Sequence, residues 1–266
     1  MREGTSVRAV VPGHVTAFFS VHHRSDPLAT GSRGAGLTLT DGVEVAVDVG
    51  EPSGLTLNGE PTSVTPVEAI LEALGVEAAV HAETPLPVGA GFGVSGAFAL
   101  GTALAVNHAA DLGRSENDLV RVAHRAEVEA ETGLGDVVAQ ARGGVPVRLE
   151  PGAPPHGTLD GVPVTARVEY VTFGELDTGS VIGGDTGALS AAGEAALERL
   201  RERPTLPSLF AAGREFAREA DLLVPPVEAA VEDVRAVGGE ACMAMLGETV
   251  FALGTGLTDA GYDPAV

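Results

Sequence analysis

A proline- and glycine-rich loop at residues 84–93 is the feature that most constrains the fold. It follows a predicted strand at 76–82 and leads into a predicted helix at 94–110, whose apolar residues recur at helical spacing. Glycines let the backbone approach a ligand closely and adopt positive φ. The free N–H groups and the dipole of the following helix favour an anion. The loop therefore predicts a phosphate site, although a plain turn before a core helix has the same composition.

The same glycines allow a second interpretation, because Gly91, Gly93 and Gly96 match the dinucleotide-binding pattern Gly-x-Gly-x-x-Gly. That pattern should follow a strand directly and precede a second strand that ends in an acidic residue. Pro85 and Pro87 instead separate the strand from the glycines. A nicotinamide-dependent dehydrogenase is therefore the less favoured alternative.

The charge composition limits the partners of the chain. The 266 residues include 37 Asp and Glu but only 16 basic residues, all of them Arg, and the formal charge is −21. A phosphate backbone would be repelled, so no nucleic-acid partner is expected. The acidic residues are spread along the whole chain, and we expect a halophilic source in which salt screens their repulsion. Without Lys, the chain cannot contain a Walker-type Gly-Lys-Ser/Thr loop.

Hydropathy and cysteine content predict a cytoplasmic protein with a substantial core. Apolar residues make up 44% of the chain, and no apolar stretch is long enough to cross a bilayer. The N-terminus lacks the pattern of a signal peptide. Cys242 is the only cysteine, so an intrachain disulfide is excluded. We expect no membrane partner.

Strand and helix patterns are interspersed, which predicts the α+β class with two lobes. The predicted strands lie at 7–11, 43–49, 76–82, 145–149, 164–172, 179–182, 240–246 and 248–253. The predicted helices lie at 66–75, 94–110, 115–131, 188–201, 206–220 and 227–236. We expect Thr65 to cap the first of them and Gly75 to end it, and Ser115 to cap the third together with Asp118. The first strand is expected to end at Pro12-Gly13. The Pro- and Gly-rich stretch 151–163 is a candidate linker or hairpin, so we divide the chain into domains at 1–150 and 151–266.

An acidic segment behind the glycine loop contains candidate groups for phosphoryl transfer. That chemistry needs Mg²⁺ near the phosphates and benefits from a carboxylate that orients or deprotonates the attacking hydroxyl. Glu127 and Glu129 flank the apolar face of their predicted helix on opposite sides. Asp136 lies in an otherwise apolar, glycine-bounded stretch, where a solvated acidic surface is a weaker explanation than for Glu129. Ser95, in the first turn of the predicted helix at 94–110, could reach a phosphate-bound Mg²⁺.

These segments resemble the GHMP kinases (galactokinase, homoserine kinase, mevalonate kinase and phosphomevalonate kinase). Residues 87–97 are similar to the family signature Pro-x-x-x-Gly-Leu-Gly-Ser-Ser-Ala, with Phe92 in place of Leu and with Val94 and Gly96 in place of Ser and Ala. The departure at 94 leaves Ser95 as the only hydroxyl in the loop. Pro12-Gly13-His14-Val15 resembles the first family motif, with His in place of a basic residue.

Within that superfamily the chain most resembles the archaeal pantoate kinases. Residues 123–137 are similar to their Ala-His-x-x-Glu…Thr-Gly-Leu-Gly-Asp-Val string, and residues 243–251 to their Met-Ala-Met-Leu-Gly-x-Thr-Val-Phe string. Residues 27–36 carry the further similarity Pro-Leu-x-x-Gly-Ser-Arg-Gly-Ala-Gly. The resemblance covers most of the chain.

This resemblance implies a GHMP-kinase-like two-lobed fold with ATP and substrate in the cleft between the lobes. It implies ATP- and Mg²⁺-dependent phosphorylation of the primary hydroxyl of (R)-pantoate to 4-phosphopantoate, for coenzyme A synthesis, by an expected homodimer. Asp136 is then the catalytic carboxylate, and Ser95 and Glu127 hold the metal. The implied ATP-binding residues are Pro87, Gly89, Gly91, Phe92, Gly93, Val94, Ser95, Gly96 and Ala97. The implied substrate-binding residues are His14, Ser32, Arg33 and Gly34.

Several points stay open. Arg33, between glycines, suits a carboxylate because its planar fork pairs with one bidentately. Some relatives pair the catalytic Asp with a Lys, which this chain lacks, so Arg33 or Arg142 would be the available cation. Asp136 could remove the proton or only stabilise charge. The acceptor could also be homoserine, mevalonate or a shikimate-like acid, and a nucleotide-binding regulator without catalysis is a further alternative.

Overall fold

The computed structural model describes residues 7–175 and 186–266, which form two sheets with helices packed against them. The strands are β1 (Val7–His22), β2 (Gly31–Val49), β3 (Gly54–Leu57), β4 (Glu60–Thr62), β5 (Ala78–Glu83), β6 (Val145–Glu150), β7 (Thr158–Val162), β8 (Val168–Glu175), β9 (Ala241–Ala244) and β10 (Gly247–Leu253). The helices are α1 (Thr65–Leu74), α2 (Val94–Ala109), α3 (Glu116–Glu129), α4 (Asp136–Arg142), α5 (Gly187–Glu202), α6 (Leu206–Glu219), α7 (Pro225–Ala236) and α8 (Gly256–Asp259). The predicted α+β class is confirmed.

The larger sheet has seven strands in the order β4-β3-β5-β2-β6-β7, with β1 paired to β2 beside this path. Only β3 and β5 run parallel, and the other pairs are antiparallel. The smaller sheet, β8-β10-β9, is antiparallel throughout. The strand that follows the glycine loop and α2, β6, pairs antiparallel with β2. This topology does not supply the parallel strand that a dinucleotide-binding unit requires after its helix.

The first strand is longer than predicted, because β1 does not end at Pro12-Gly13 but continues to His22. The pairing with β2 shifts register between Pro12 and His14, so Pro12 lies at an irregularity where a missing N–H is tolerated. Most of β1 after Val11 is buried, and α2, α5 and α6 all contact it. A strand covered on both faces loses the alternation by which we located the other strands.

Most predicted helices are confirmed to within about two residues, with different caps in one case. Ser115 caps α3 in a capping box with Asp118, as its sequence indicates. The N-cap of α1 is Val64 without a side-chain hydrogen bond, so the expected cap by Thr65 is wrong, while Gly75 does end the helix in the left-handed conformation. The β3–β4 hairpin and α4 were not predicted. The predicted strand at 179–182 lies outside the described residues.

Helix α2 packs against the larger sheet and fixes the position of the glycine loop. It contacts β1, β2, α1 and α3, and most of its side chains are buried. At Gly101 the helix approaches β2 so closely that a Cβ would lie 2.6 Å from the Val45 side chain. A helix buried nearly all round is held by the core, so its N-terminus presents a rigid edge. Among the described residues, no helix has the length and apolar character needed to cross a bilayer.

Candidate active site

A cavity of about 550 Å³ lies between the glycine loop, the end of α3 and the start of α4. Its wall includes the Ser95 hydroxyl, the Glu127 and Asp136 carboxylates and the Arg148 guanidinium. Such a cavity is large enough for a small-molecule ligand. The four groups come from α2, α3, α4 and β6, so the fold and not one local motif assembles the site.

The N-terminus of α2 opens into this cavity without a side-chain cap. Gly93 is the N-cap residue, with a left-handed φ of 62°, and no side chain bonds to the free N–H groups. Gly89 and Gly91 also have positive φ, of 75° and 88°. These N–H groups, together with the helix dipole, suit a phosphate. The predicted phosphate site therefore has the required local geometry.

The back of the glycine loop is held by β10 and α4. The Thr249 hydroxyl donates to the Ala90 carbonyl at 2.9 Å, and Gln140 Nε2 donates to the Gly93 carbonyl at 2.8 Å. A Cβ at Gly247 would lie 2.1 Å from the Ala90 carbonyl oxygen. The segment 243–251 therefore acts as a support for the loop, with Gly247 required by close backbone contact.

Ser95 and Glu127 form a buried pair on the cavity wall. The Ser95 hydroxyl donates to Glu127 Oε1 at 2.6 Å, and Glu127 is only 2% exposed. Burial raises the pKa of Glu127 to about 7, and the charge of Asp136 acts in the same direction, whereas the hydrogen bonds from Ser95 and Thr132 oppose the shift. A carboxylate with no cation beside it in such a place is suited to binding one.

Asp136, the first residue of α4, is held by the buried His14. His14 Nδ1 lies 2.7 Å from Asp136 Oδ1, and the carboxylate side chain keeps 26% exposure toward the cavity. Burial alone would raise the pKa of Asp136, but the hydrogen bond and charge of His14 and the charge of Arg148 outweigh it and lower that pKa. Burial lowers the pKa of His14, against the opposing effect of Asp136. Asp136 is thus ionised and oriented at neutral pH.

Arg148 places a buried guanidinium on the wall of the cavity, and the charge of Asp136 acts on it favourably. It lies in β6, is 2% exposed and lines the cavity. Within residues 7–175 and 186–266, its Nε and Nη1 atoms have no hydrogen-bond partner. Glycine at 135 makes room for it, since a Cβ there would lie 2.7 Å from Arg148 Nε. Buried donors of this kind are costly unless a ligand pairs with them.

The structure brings most of the predicted site residues to the cavity. The ones that line it are Ser32, Gly89, Gly91, Phe92, Gly93, Val94, Ser95, Gly96, Glu127 and Asp136. Pro87, Ala97 and Gly34 do not line it, and His14 lies behind Asp136.

Arg33 and Arg142, the two cations considered from sequence, point elsewhere. Arg33 pairs with Glu194 of α5, and its Nε donates to the Leu149 carbonyl at 2.7 Å. Arg142 is exposed and donates to the Gly143 carbonyl. Neither lines the cavity, and Arg148 is the arginine that does.

Sequence reasoning missed Arg148 and Gln140. Arg148 had one usable signal, because it interrupts an otherwise apolar strand in a chain with only 16 basic residues. A charge on a buried strand needs a partner, which marks it as a site candidate. Gln140 had no signal of its own, because the short helix that carries it was not predicted.

The chain is similar in sequence and in fold to proteins of one known family. The family model "GHMP kinases N terminal domain" matches residues 64–144. A pantoate kinase of Thermococcus kodakarensis is 35% identical over 264 residues, covering 93% of this chain and 87% of that protein. One of Methanocaldococcus jannaschii is 32% identical over 249 residues, covering 91% and 90%. A solved "phosphotransferase related to CoA biosynthesis pathway" matches with a TM-score of 0.86 at 32% identity, over 96% of this chain and 90% of that one. The chain therefore belongs to the pantoate kinase family within the GHMP kinases.

Proposed function

We propose that the protein transfers the γ-phosphate of ATP to the primary hydroxyl of (R)-pantoate, giving 4-phosphopantoate and ADP. The observation that carries this proposal is the unsatisfied Arg148 guanidinium in the same cavity as Asp136 and the uncapped N-terminus of α2. Pantoate carries both a carboxylate and a hydroxyl. It fits a site in which Arg148 can receive the substrate carboxylate, Asp136 can act on the hydroxyl and the N-terminus of α2 can bind phosphate. The pantoate kinases of Thermococcus and Methanocaldococcus, at 35% and 32% identity, support this choice of substrate.

Mg²⁺ fits the residues present, because Ser95 and Glu127 offer two hard oxygen ligands 2.6 Å apart on the cavity wall. Among the described residues no cation acts on the buried Glu127, and a divalent ion would compensate its charge. When bound, the ion would neutralise charge on the ATP phosphates. The N–H groups at the start of α2, behind Gly93, would also hold the phosphates.

Arg148 would hold the pantoate carboxylate and thereby orient the substrate. Its guanidinium lines the cavity, and an edge of this planar group presents two parallel N–H donors that match two carboxylate oxygens. Ser32, predicted to bind substrate, lies close by, since a Cβ at Gly135 would approach both its Oγ and the Arg148 side chain. We assign the carboxylate contact to Arg148 in place of Arg33, because the Arg33 guanidinium is already paired with Glu194.

In the reaction, the hydroxyl oxygen forms a bond to the γ-phosphorus as the bond from that phosphorus to the bridging oxygen of ADP breaks. The hydroxyl proton passes to the Asp136 carboxylate, which the lowered pKa keeps ionised. His14 is a positioning residue in this scheme. It donates from Nδ1 to Asp136 and fixes the carboxylate where the common family motif has a basic residue.

The test is phosphate transfer from ATP to (R)-pantoate by the purified protein with Mg²⁺ in molar KCl, with homoserine and mevalonate as parallel acceptors. We expect transfer to pantoate, and a loss of about 10³-fold or more in kcat for Asp136→Asn, with little change in ATP binding. If phosphate is transferred only to a different acid, the proposed substrate is wrong but the proposed site stands. Mg-ATP binding without transfer to any acceptor would favour a regulator.

Four further properties stay predictions. We propose a cytoplasmic location, a halophilic source, a homodimer in solution, and two domains divided near residue 150. The −21 charge supports the second, and sedimentation analysis tests the third. The pairing of β7 with β6 bears on the fourth, because it extends the larger sheet to residue 162.

A further inference from the structure

A second cavity, of about 350 Å³, lies between α1 and α3. We name it the α1–α3 groove. Its apolar floor includes Leu74, Leu119 and Val122, and its rim carries Arg114, Arg121 and Arg125. None of these residues lines the catalytic cavity. The groove has therefore no part in the site already described.

The concentration of arginine on this rim is unusual for the chain. Three of its 16 basic side chains face one small groove, while the protein as a whole carries 21 more acidic than basic groups. Arginine forks at a cavity rim are suited to phosphate and carboxylate. A surface that is otherwise strongly negative repels anions, so this rim is a local exception.

Two of the three arginine side chains have no direct partner among the described residues, although the charge of Arg114 also acts on Asp118. Arg121 pairs with Asp118, and Asp118 also accepts from the Ser115 hydroxyl at 2.8 Å. In the part of the chain that the structure describes, the Arg114 and Arg125 side chains form no hydrogen bond or ion pair. Glu129 is the remaining acid on the groove. The uncommitted charge on the rim is thus net positive.

The backbone positions of the rim arginines are fixed by the surrounding structure. The Asn107 side chain of α2 binds both backbone groups of Arg114, accepting from its N–H at 2.9 Å and donating to its carbonyl at 3.3 Å. Arg125 lies on α3 one turn beyond Arg121, so both project along the same side of that helix. The arginines are presented from fixed backbone positions, which lowers the entropic cost of binding.

We propose that the α1–α3 groove binds a small organic phosphate with a short apolar body, and that its occupancy alters the affinity for Mg-ATP. The arginines would hold the phosphate and the apolar floor would bury the body. The volume suits a small molecule. The route to the catalytic cavity is short, because Ala126 lines the groove and the next residue, Glu127, lines that cavity. A ligand that shifts α3 therefore shifts the carboxylate assigned to the metal.

The binding test uses hexyl phosphate as the probe, titrated calorimetrically at the lowest KCl concentration at which the protein stays folded, because salt screens the arginines. Two half-probes serve as controls: hexanol lacks the phosphate, and inorganic phosphate lacks the apolar chain. We expect saturable binding of hexyl phosphate and at least about tenfold weaker binding of both half-probes. Arg114→Gln and Arg125→Gln should each weaken it about tenfold or more. Arg235→Gln, an exposed arginine at the end of α7, is the matched control and should bind like the unmodified protein.

Equal binding by all variants would overturn the site, because the probe would then be held elsewhere, the catalytic cavity included. The absence of saturable binding would overturn it as well. A dimer that dissociates in Arg125→Glu would show that a second copy of the chain covers the groove, which also contradicts the proposal.

The coupling is tested by measuring the Mg-ATP dissociation constant with and without saturating hexyl phosphate. We expect a change of about threefold or more, and by linkage the same factor for hexyl phosphate when Mg-ATP is present. The change should persist in Arg235→Gln and disappear in Arg125→Gln. An unchanged constant, with binding at the groove intact, would overturn the coupling. None of these measurements depends on phosphate transfer, so the outcome is separate from that of the proposed reaction.

Discussion

Burial raises the pKa of Glu127 to about 7, so this side chain destabilises the metal-free protein at neutral pH. Between pH 4.5 and 7 the folded state binds this proton more tightly than the unfolded state, and stability falls as pH rises. Over that interval the loss amounts to roughly 3 kcal/mol. We therefore expect Glu127→Gln to be more stable than the unmodified protein at pH 8, with a smaller pH dependence, while phosphate transfer is lost.

Urea denaturation at pH 5 and pH 8 without metal measures this effect. Glu129→Gln is the matched control, because Glu129 lies on the same helix but is exposed. We expect it to change neither stability nor transfer greatly. A Glu127→Gln variant with the stability and pH dependence of the unmodified protein would contradict the burial argument, and loss of transfer in Glu129→Gln alone would move the metal to Glu129.

Arg148 offers a second prediction at the residue scale. Arg148→Lys keeps the charge but removes the planar fork, so the KM for pantoate should rise about 30-fold or more while the Mg-ATP dissociation constant changes little. Steady-state kinetics and calorimetry separate the two quantities. Arg142→Lys, on the exposed end of α4, is the control and should behave as the unmodified protein. If Arg33→Lys raises this KM and Arg148→Lys does not, the carboxylate contact belongs to Arg33.

At the scale of elements, the support of the glycine loop by β10 can be tested at Gly247. A Cβ there would lie 2.1 Å from the Ala90 carbonyl oxygen, so Gly247→Ala must displace the loop. We expect a destabilisation of about 1–3 kcal/mol and an increase in the KM for ATP of about tenfold or more. Gly54→Ala is the control, because its nearest neighbour would lie 4.0 Å away. A normal KM for ATP in Gly247→Ala would mean that the loop does not depend on β10.

Elements with a long apolar pattern or clear caps were predictable, whereas short elements and the second half of the covered strand β1 were not. The helix α3 has a capping box at Ser115, and α2 has a long apolar pattern. Helix α4 spans only seven residues, too few to show a period. The β3–β4 hairpin had an unused signal, since Asn58-Gly59 with φ of 52° and 82° is a typical two-residue hairpin turn.

The candidate site was likewise predictable only in part. Asp136, Glu127 and Ser95 follow from the resemblance to known motifs, because those motifs name the chemistry. The contact between His14 and Asp136 joins residues 122 positions apart in the chain. Neither this contact nor the direction of Arg148 can be read from a strand pattern, which tells which face a side chain takes but not which cavity lies beneath it.

At the scale of the whole molecule, the charge of −21 predicts a strong dependence of stability on salt. Repulsion among like charges opposes the compact state, and raising the ionic strength shortens the screening length from about 10 Å at 0.1 M to about 3 Å at 1 M. We expect the thermal midpoint to rise by roughly 10 °C or more between about 0.1 M and 1 M KCl. Differential scanning fluorimetry measures it, with sucrose as an uncharged control. A midpoint that stays level in this range would contradict a repulsion-limited fold.

Strand β1 contacts both the larger sheet and elements from the C-terminal part of the chain, residues 151–266. It pairs with β2 in the larger sheet, while its Thr16 carbonyl accepts from the Met245 N–H at 2.9 Å and Phe19 packs on Phe216 with ring centroids 5.7 Å apart. Cleavage of the chain after residue 150 would leave one fragment with β1 uncovered and the other without the strand on which α5 and α6 rest. Two such fragments should be insoluble when produced singly and should reassemble when produced together.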